Sequence, residues 1–232
     1  SLGDYGTSGG TGMMIKKLKE ACATMATASR LRDDKAAVEK LNADLKSLKS
    51  AADKLHLLAE VIQAMQASGI TSAVLTSEQL ESLNRCINIC GEKASNSTLS
   101  MADVSALNST FGICQLAAEQ VWEASASDKA DGVYGSLNSL KELLPNRSNT
   151  EVLLRRLASN KSTLPKSGQA VYDFLNDVES AQKLVNSLQL DAEIETFIVK
   201  VLTQQATVTD LNDHVLNWIK ENHLTGKLKI RF

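Results

Sequence analysis

Cys86 and Cys90 lie four residues apart in a stretch with helical periodicity, which turns both sulfurs to one side of a helix. Two thiolates so placed supply half of a tetrahedral zinc site, and zinc needs two more ligands. The remaining candidates are scattered. His56, His214 and His223 fall on separate elements, and Cys22 and Cys114 each stand alone. The plainer reading makes Cys86 and Cys90 small apolar core residues beside Ile87. The histidines have no acid or nucleophile at a catalytic spacing, and no nucleophile elbow, HExxH, complete Walker sequence or EF-hand loop occurs. Residues 1–12 are rich in glycine, as a phosphate-cradling loop would be. Met13 and Met14 follow Gly12, however, where Lys and then Ser or Thr are needed, so the segment reads as a linker or an expression scar. No catalytic or cofactor-binding residue emerges, no cofactor is expected, and the chain reads as a non-enzyme.

Basic residues suggest a second chemistry. Arg147, Arg155, Arg156, Lys161 and Lys166 form an island, and Lys227, Lys229 and Arg231 alternate along the tail. The stretch 191–232 has the outline of a winged helix-turn-helix. Its would-be recognition helix carries Asp210, Asp213 and Glu221 against Lys220 alone, the wrong sign for a DNA groove. The net charge of −2 gives no global field toward nucleic acid or anionic lipid. Nucleic-acid contact through Arg155, Arg156, Lys227, Lys229 and Arg231 is the alternative expectation.

The elements that would carry these residues are helical. Positions 13–68 contain no Gly or Pro, and Val38, Leu41, Leu45, Leu48, Ala52, Leu55, Ala59 and Ile62 recur alternately three and four apart. A 3.5-residue period asks for a partner helix along the seam. The partner is either the preceding helix, 13–30, or another subunit. Val38, Leu41, Leu45 and Leu48 are the partner-binding or self-association candidates, because the early half is heavily charged outside the seam. The seam slips phase near 29–34, so 13–68 is a hairpin or one kinked helix.

Beyond Gly69, Thr76-Ser77-Glu78-Gln79 reads as a capping box and Ser100-Met101-Ala102-Asp103 as a second helix start. The second helix turns Val104, Leu107, Phe111, Cys114, Leu116, Ala117 and Val121 inward and ends near Ala126. A loop is expected at 127–132, then a short helix at 137–144 stopped by Pro145. Helices near 148–160, 167–188, 191–204 and 210–223 follow, and 227–232 alternates with the period of a strand. A sub-boundary near 145–166 is expected. Four N-x-S/T triplets occur, as chance allows in a chain rich in Asn, Ser and Thr. Cysteine usage, the absence of a signal-like h-region and the lack of any long uncharged apolar run point to a reduced, cytoplasmic protein outside the membrane.

The run from Leu211-Asn212-Asp213-His214 through Trp218-Ile219-Lys220 to Leu228-Lys229-Ile230-Arg231-Phe232 resembles the C-termini of large bacterial P-loop ATPases of BREX-type phage-defence systems. That resemblance implies a C-terminal helical module whose ATP-binding residues lie elsewhere, so it transfers no site residue. The expectation is an all-α protein: linker 1–12, a long coiled-coil-like hairpin or kinked helix at 13–68, and a helical body at 69–232. Its expected role is a non-catalytic interaction or assembly module.

Overall fold

The computed structural model describes Lys16, residues 19–21, Ala23, and residues 35–228 apart from Ser97 and Pro145. Among these residues the protein is all-α, with no sheet. The helices are α1 (Lys35–Ala67), α2 (Ser77–Ser95), α3 (Met101–Leu140), α4 (Arg147–Lys161), α5 (Gly168–Asn186), α6 (Ala192–Leu202) and α7 (Asp213–Glu221). A 3₁₀ turn, Val208–Asp210, precedes α7. No described helix is long and apolar enough to cross a membrane.

The chain divides into two compact units, 1–125 with 163–172, and 126–162 with 173–232. The division at 162/163 falls inside the stretch 145–166 marked by the sequence. Those at 125/126 and 172/173 fall within α3 and α5, where composition gives no sign.

In the first unit, Lys19 Nζ lies 3.8 Å from Asp53 Oδ1. A continuous straight helix would separate these residues by about 50 Å. Lys19 therefore lies beside α1 and not on a continuation of its axis. Along α1 the buried row runs through Leu45, Leu48, Ala51, Ala52, Leu55, Leu58, Val61, Ala64 and Met65. The heptad expected from sequence holds from Leu45 through Leu55 and then drifts. Ala59 and Ile62 are only half-buried, and Leu58, Val61 and Met65 replace them. A straight helix repeats every 3.6 residues, so a 3.5-residue seam rotates off its own face within a few turns. Gly69, at φ +68°, closes α1 in the left-handed conformation that favours glycine. Ile70 N–H donates to Met65 O and Gly69 N–H to Gln66 O, the paired bonds of a Schellman stop. Gly168 opens α5 against α1, where an added Cβ would meet Glu60 O at 3.2 Å.

Capping fixes the next starts. Thr76 Oγ1 accepts from Gln79 N–H, and Gln79 Oε1 accepts from Thr76 N–H, so the expected box forms. For α4 the cap is Asn146, whose side chain accepts from Asn149 N–H, so this helix begins before the Ser148 start read from sequence.

The largest departure is α3. The expected loop at 127–132 and the separate helix after it are one unbroken helix to Leu140. Ala126, Ala130, Val133 and Leu137 continue the buried row of Leu107, Cys114, Ala118 and Trp122 at four- and three-residue steps. Burial along that row outweighs the weak helix propensity of Ser127, Asp128, Asp131 and Gly132.

In the second unit, α4 buries Leu153, Leu154 and Leu157, and α5 buries Phe174 and Ala181. Trp218 of α7 is buried, and its indole N–H donates to Leu188 O at 2.6 Å. Asp191 caps α6 through the N–H groups of Glu193 and Ile194, and Asn212 caps α7 through Val215 N–H. Helix α7 starts at Asp213, later than the Asp210 start expected from sequence, because Asp210 closes the 3₁₀ turn. Lys227 lies in a turn, and most of the alternating tail lies outside the described residues.

The continuity of α3 is testable at Gly132, where a methyl group would meet nothing within 4 Å. Gly132→Ala in a helix interior is expected to raise the urea-unfolding free energy by about 0.5–1 kcal/mol. A flexible loop at 127–132 would show no gain.

Candidate docking face

A polar latch between α2 and α3 sets what each helix presents. Ser100 N–H and Oγ both donate to Asp103 Oδ2, at 3.0 and 2.6 Å, and Lys93 Nζ of α2 donates to Asp103 Oδ1 at 2.6 Å. The Lys93 ammonium, with Ser100 beside it, holds the Asp103 carboxyl down to about 2. Cys86 Sγ lies 3.4 Å from Thr110 Oγ1, and Cys90 Sγ donates to Asp103 O at 3.5 Å. The two helices thus run antiparallel, with Cys86 level with Thr110 and Lys93 level with Asp103.

The structure accordingly places Cys86 and Cys90 in the α2–α3 seam, with Cys90 buried and Cys86 half-buried. Burial pushes the Cys114 thiol up, and the nearby Cys86 sulfur adds to the rise. Among the described residues, no three His, Cys, Asp or Glu side chains gather as metal ligands would. The cysteine pair fits its plainer reading as packing.

Beside α2 and away from the buried row of α3, one face of the helix lies open. Ala102, Ala106, Ser109, Ile113, Leu116 and Gln120 are all exposed and recur alternately four and three apart, the same heptad spacing that marks α1. Ile113 is 57% exposed and Leu116 56%, the exposure of solvent-facing residues on large apolar side chains. Positions 104–118 carry no charged residue. The sequence reading turned Leu116 inward; the structure turns it out, because Ala118 and Trp122 fill the core row instead. Ile89 of α2, 40% exposed, shares an edge of its helix with Cys86 and Lys93, so it flanks this open seam.

The partner candidates on α1 fare differently. Leu45 and Leu48 are buried within the chain itself, at 9% and 0% exposure, so they are not free for a second protein. Val38 and Leu41 belong to α1, and their side chains lie outside the described residues.

Three of the five island residues pair with acids, two of them with acids distant in sequence. Arg156 pairs with Asp177 of α5, and Lys161 pairs with Asp131 of α3 while its ammonium sits 5.5 Å over the Tyr134 ring. Arg147 bridges Glu142 and Glu151, and Arg155 donates to the Glu151 carbonyl of its own helix. Between α6 and α7 lie ten residues, 203–212, where a helix-turn-helix uses a turn of about three or four. Lys227 is exposed, and Lys229 and Arg231 lie outside the described residues.

Two of the three histidines pair with carboxylates at the surface. His56 pairs with Glu60 along α1 at 3.1 Å. His214 Nε2 lies 2.6 Å from Asp191 Oδ2, whose hydrogen bond and charge raise the imidazole pKa. Lys200 pairs with Asp210, holding that carboxyl down to about 2. The His214–Asp191 and Lys200–Asp210 pairs tie α6, the 3₁₀ turn and α7 together.

No protein-family model, no curated protein and no solved structure matches the chain.

The Asp103 latch carries a pH signature. Its pKa is depressed in the folded state, so its stabilisation is complete above the ordinary carboxylate value of 3.8 and drains away as pH falls toward about 2. Urea midpoints measured from about pH 5 to 2 should fall less steeply for Asp103→Asn than for the wild type. Parallel profiles would show that the latch contributes nothing.

Proposed function

We propose that this chain is a non-catalytic helical assembly module that receives a partner helix on the outward seam of α3. The carrying observation is the run of exposed seam positions from Ala102 to Gln120, centred on Ile113 and Leu116, with no charge between 104 and 118. Heptad spacing on an exposed face has no use within the chain and matches what a second helix needs. Small residues at Ala102, Ala106 and Ser109 admit close approach, and Ile113 and Leu116 supply apolar area. The resemblance of the C-terminus to phage-defence ATPases fits such a role: a helical module at the end of a larger cytosolic bacterial machine, with nucleotide chemistry carried elsewhere. The nucleic-acid alternative draws less support, since Arg147, Arg156 and Lys161 already hold carboxylates.

Coexpression with the products of neighbouring genes, followed by size-exclusion chromatography, tests this reading. The wild type is expected to elute as a complex, with itself or with a neighbour's product, and the double variant Ile113→Asp, Leu116→Asp as a single chain. Retention of the complex by the variant would remove the seam from the assembly.

A further inference from the structure

The open seam of α3 is graded in size. Its N-terminal half is Ala102, Ala106 and Ser109, and its C-terminal half is Ile113, Leu116 and Gln120. An antiparallel copy of the same helix, related by a two-fold axis near position 111, reverses that gradient. Leu116 of one copy then falls against Ala106 of the other, Ile113 against Ser109, and Gln120 against Ala102. Large side chains meet small ones at every step, and each pairing occurs twice, as two-fold symmetry requires. A parallel pair would instead set Leu116 on Leu116 and Ala106 on Ala106, leaving voids beside the alanines.

Ile89 on α2 widens the apolar contact on the flank.

From this complementarity of size we infer that the occupant of the seam is a second copy of this chain, docked antiparallel α3 to α3. This inference rests on the docking reading above and goes further by naming the partner and its direction.

Light scattering of the purified chain across a concentration series is the primary test. The wild type should rise from 25.0 kDa toward twice that mass. Leu116→Asp should weaken self-association by at least about thirtyfold, as loss of a central anchor does. Since Leu116 is exposed, this variant should keep the wild-type helical circular dichroism and melting temperature. Cysteine cross-linking then reads direction, with the wild type as the blank for the native thiols. A mixture of Ala102→Cys and Gln120→Cys chains should give a covalent dimer, and Ala102→Cys alone should not. Cross-linking of Ala102→Cys alone would mean a parallel pair and overturn the inference. So would a wild type that stays at one chain mass throughout. If a neighbouring gene's product still co-elutes through the seam in that case, only the self-pairing fails; loss of both would sink the docking reading as well.

Discussion

Helix α3 must satisfy two faces at once, and the rest of the molecule is arranged around that constraint. One face buries Leu107, Cys114, Ala118, Trp122, Ala126, Ala130 and Leu137, all fully shielded from solvent. Leu107, Cys114, Ala118 and Trp122 belong to the first unit, and Ala126, Ala130 and Leu137 to the second. Ala118 and Ala126 flank Trp122 along the row. Hydrophobic burial along this row keeps the helix intact through Ser127, Asp128 and Gly132, residues that in isolation favour a turn.

The opposite face explains the distribution of polar contacts. Lys93, Ser100 and Asp103 fasten α2 to the start of α3 and fix its rotation, so Ile113 and Leu116 remain outside. In the other unit, ion pairs consume most of the basic island: Arg156 with Asp177, Lys161 with Asp131, and Arg147 with Glu142 and Glu151. These pairs are at least partly exposed, and each contributes modestly to stability. Their larger effect is to leave little free positive field for phosphate. That placement of charge supports the proposed assembly role over the nucleic-acid alternative.

Local signals were legible in the sequence. The Thr76–Gln79 box, the Gly69 stop and the helix start at Ser100 depend on residues within one turn of each other, and the structure uses all of them. The all-α class followed from periodicity and the scarcity of proline. What stayed hidden depends on long-range contact. The polar stretch 127–132 looked like a loop because its helical state is imposed by burial of Ala126, Ala130 and Val133, small residues with a faint hydropathic signal. Leu116 was assigned inward because α3 is apolar on both sides, which flattens the periodicity that separates faces. The four-three spacing of Ala102, Ala106, Ser109, Ile113 and Leu116 was present throughout, but Ala and Ser did not stand out as a seam until the true core row was known. Nor could linear spacing show that Arg156 meets Asp177 or that Leu45 and Leu48 are already covered.

Hydroxyl-radical footprinting read by mass spectrometry addresses the central claim most directly, because it reports side-chain exposure in solution. At low protein concentration Ile113 and Leu116 should oxidise about as readily as Leu57, which is 47% exposed on α1. On concentrating the protein, Ile113 and Leu116 should become protected while Leu57 stays reactive. Reactivity at Leu116 as low as that of buried Leu107 in dilute solution, or no change with concentration, would contradict the account.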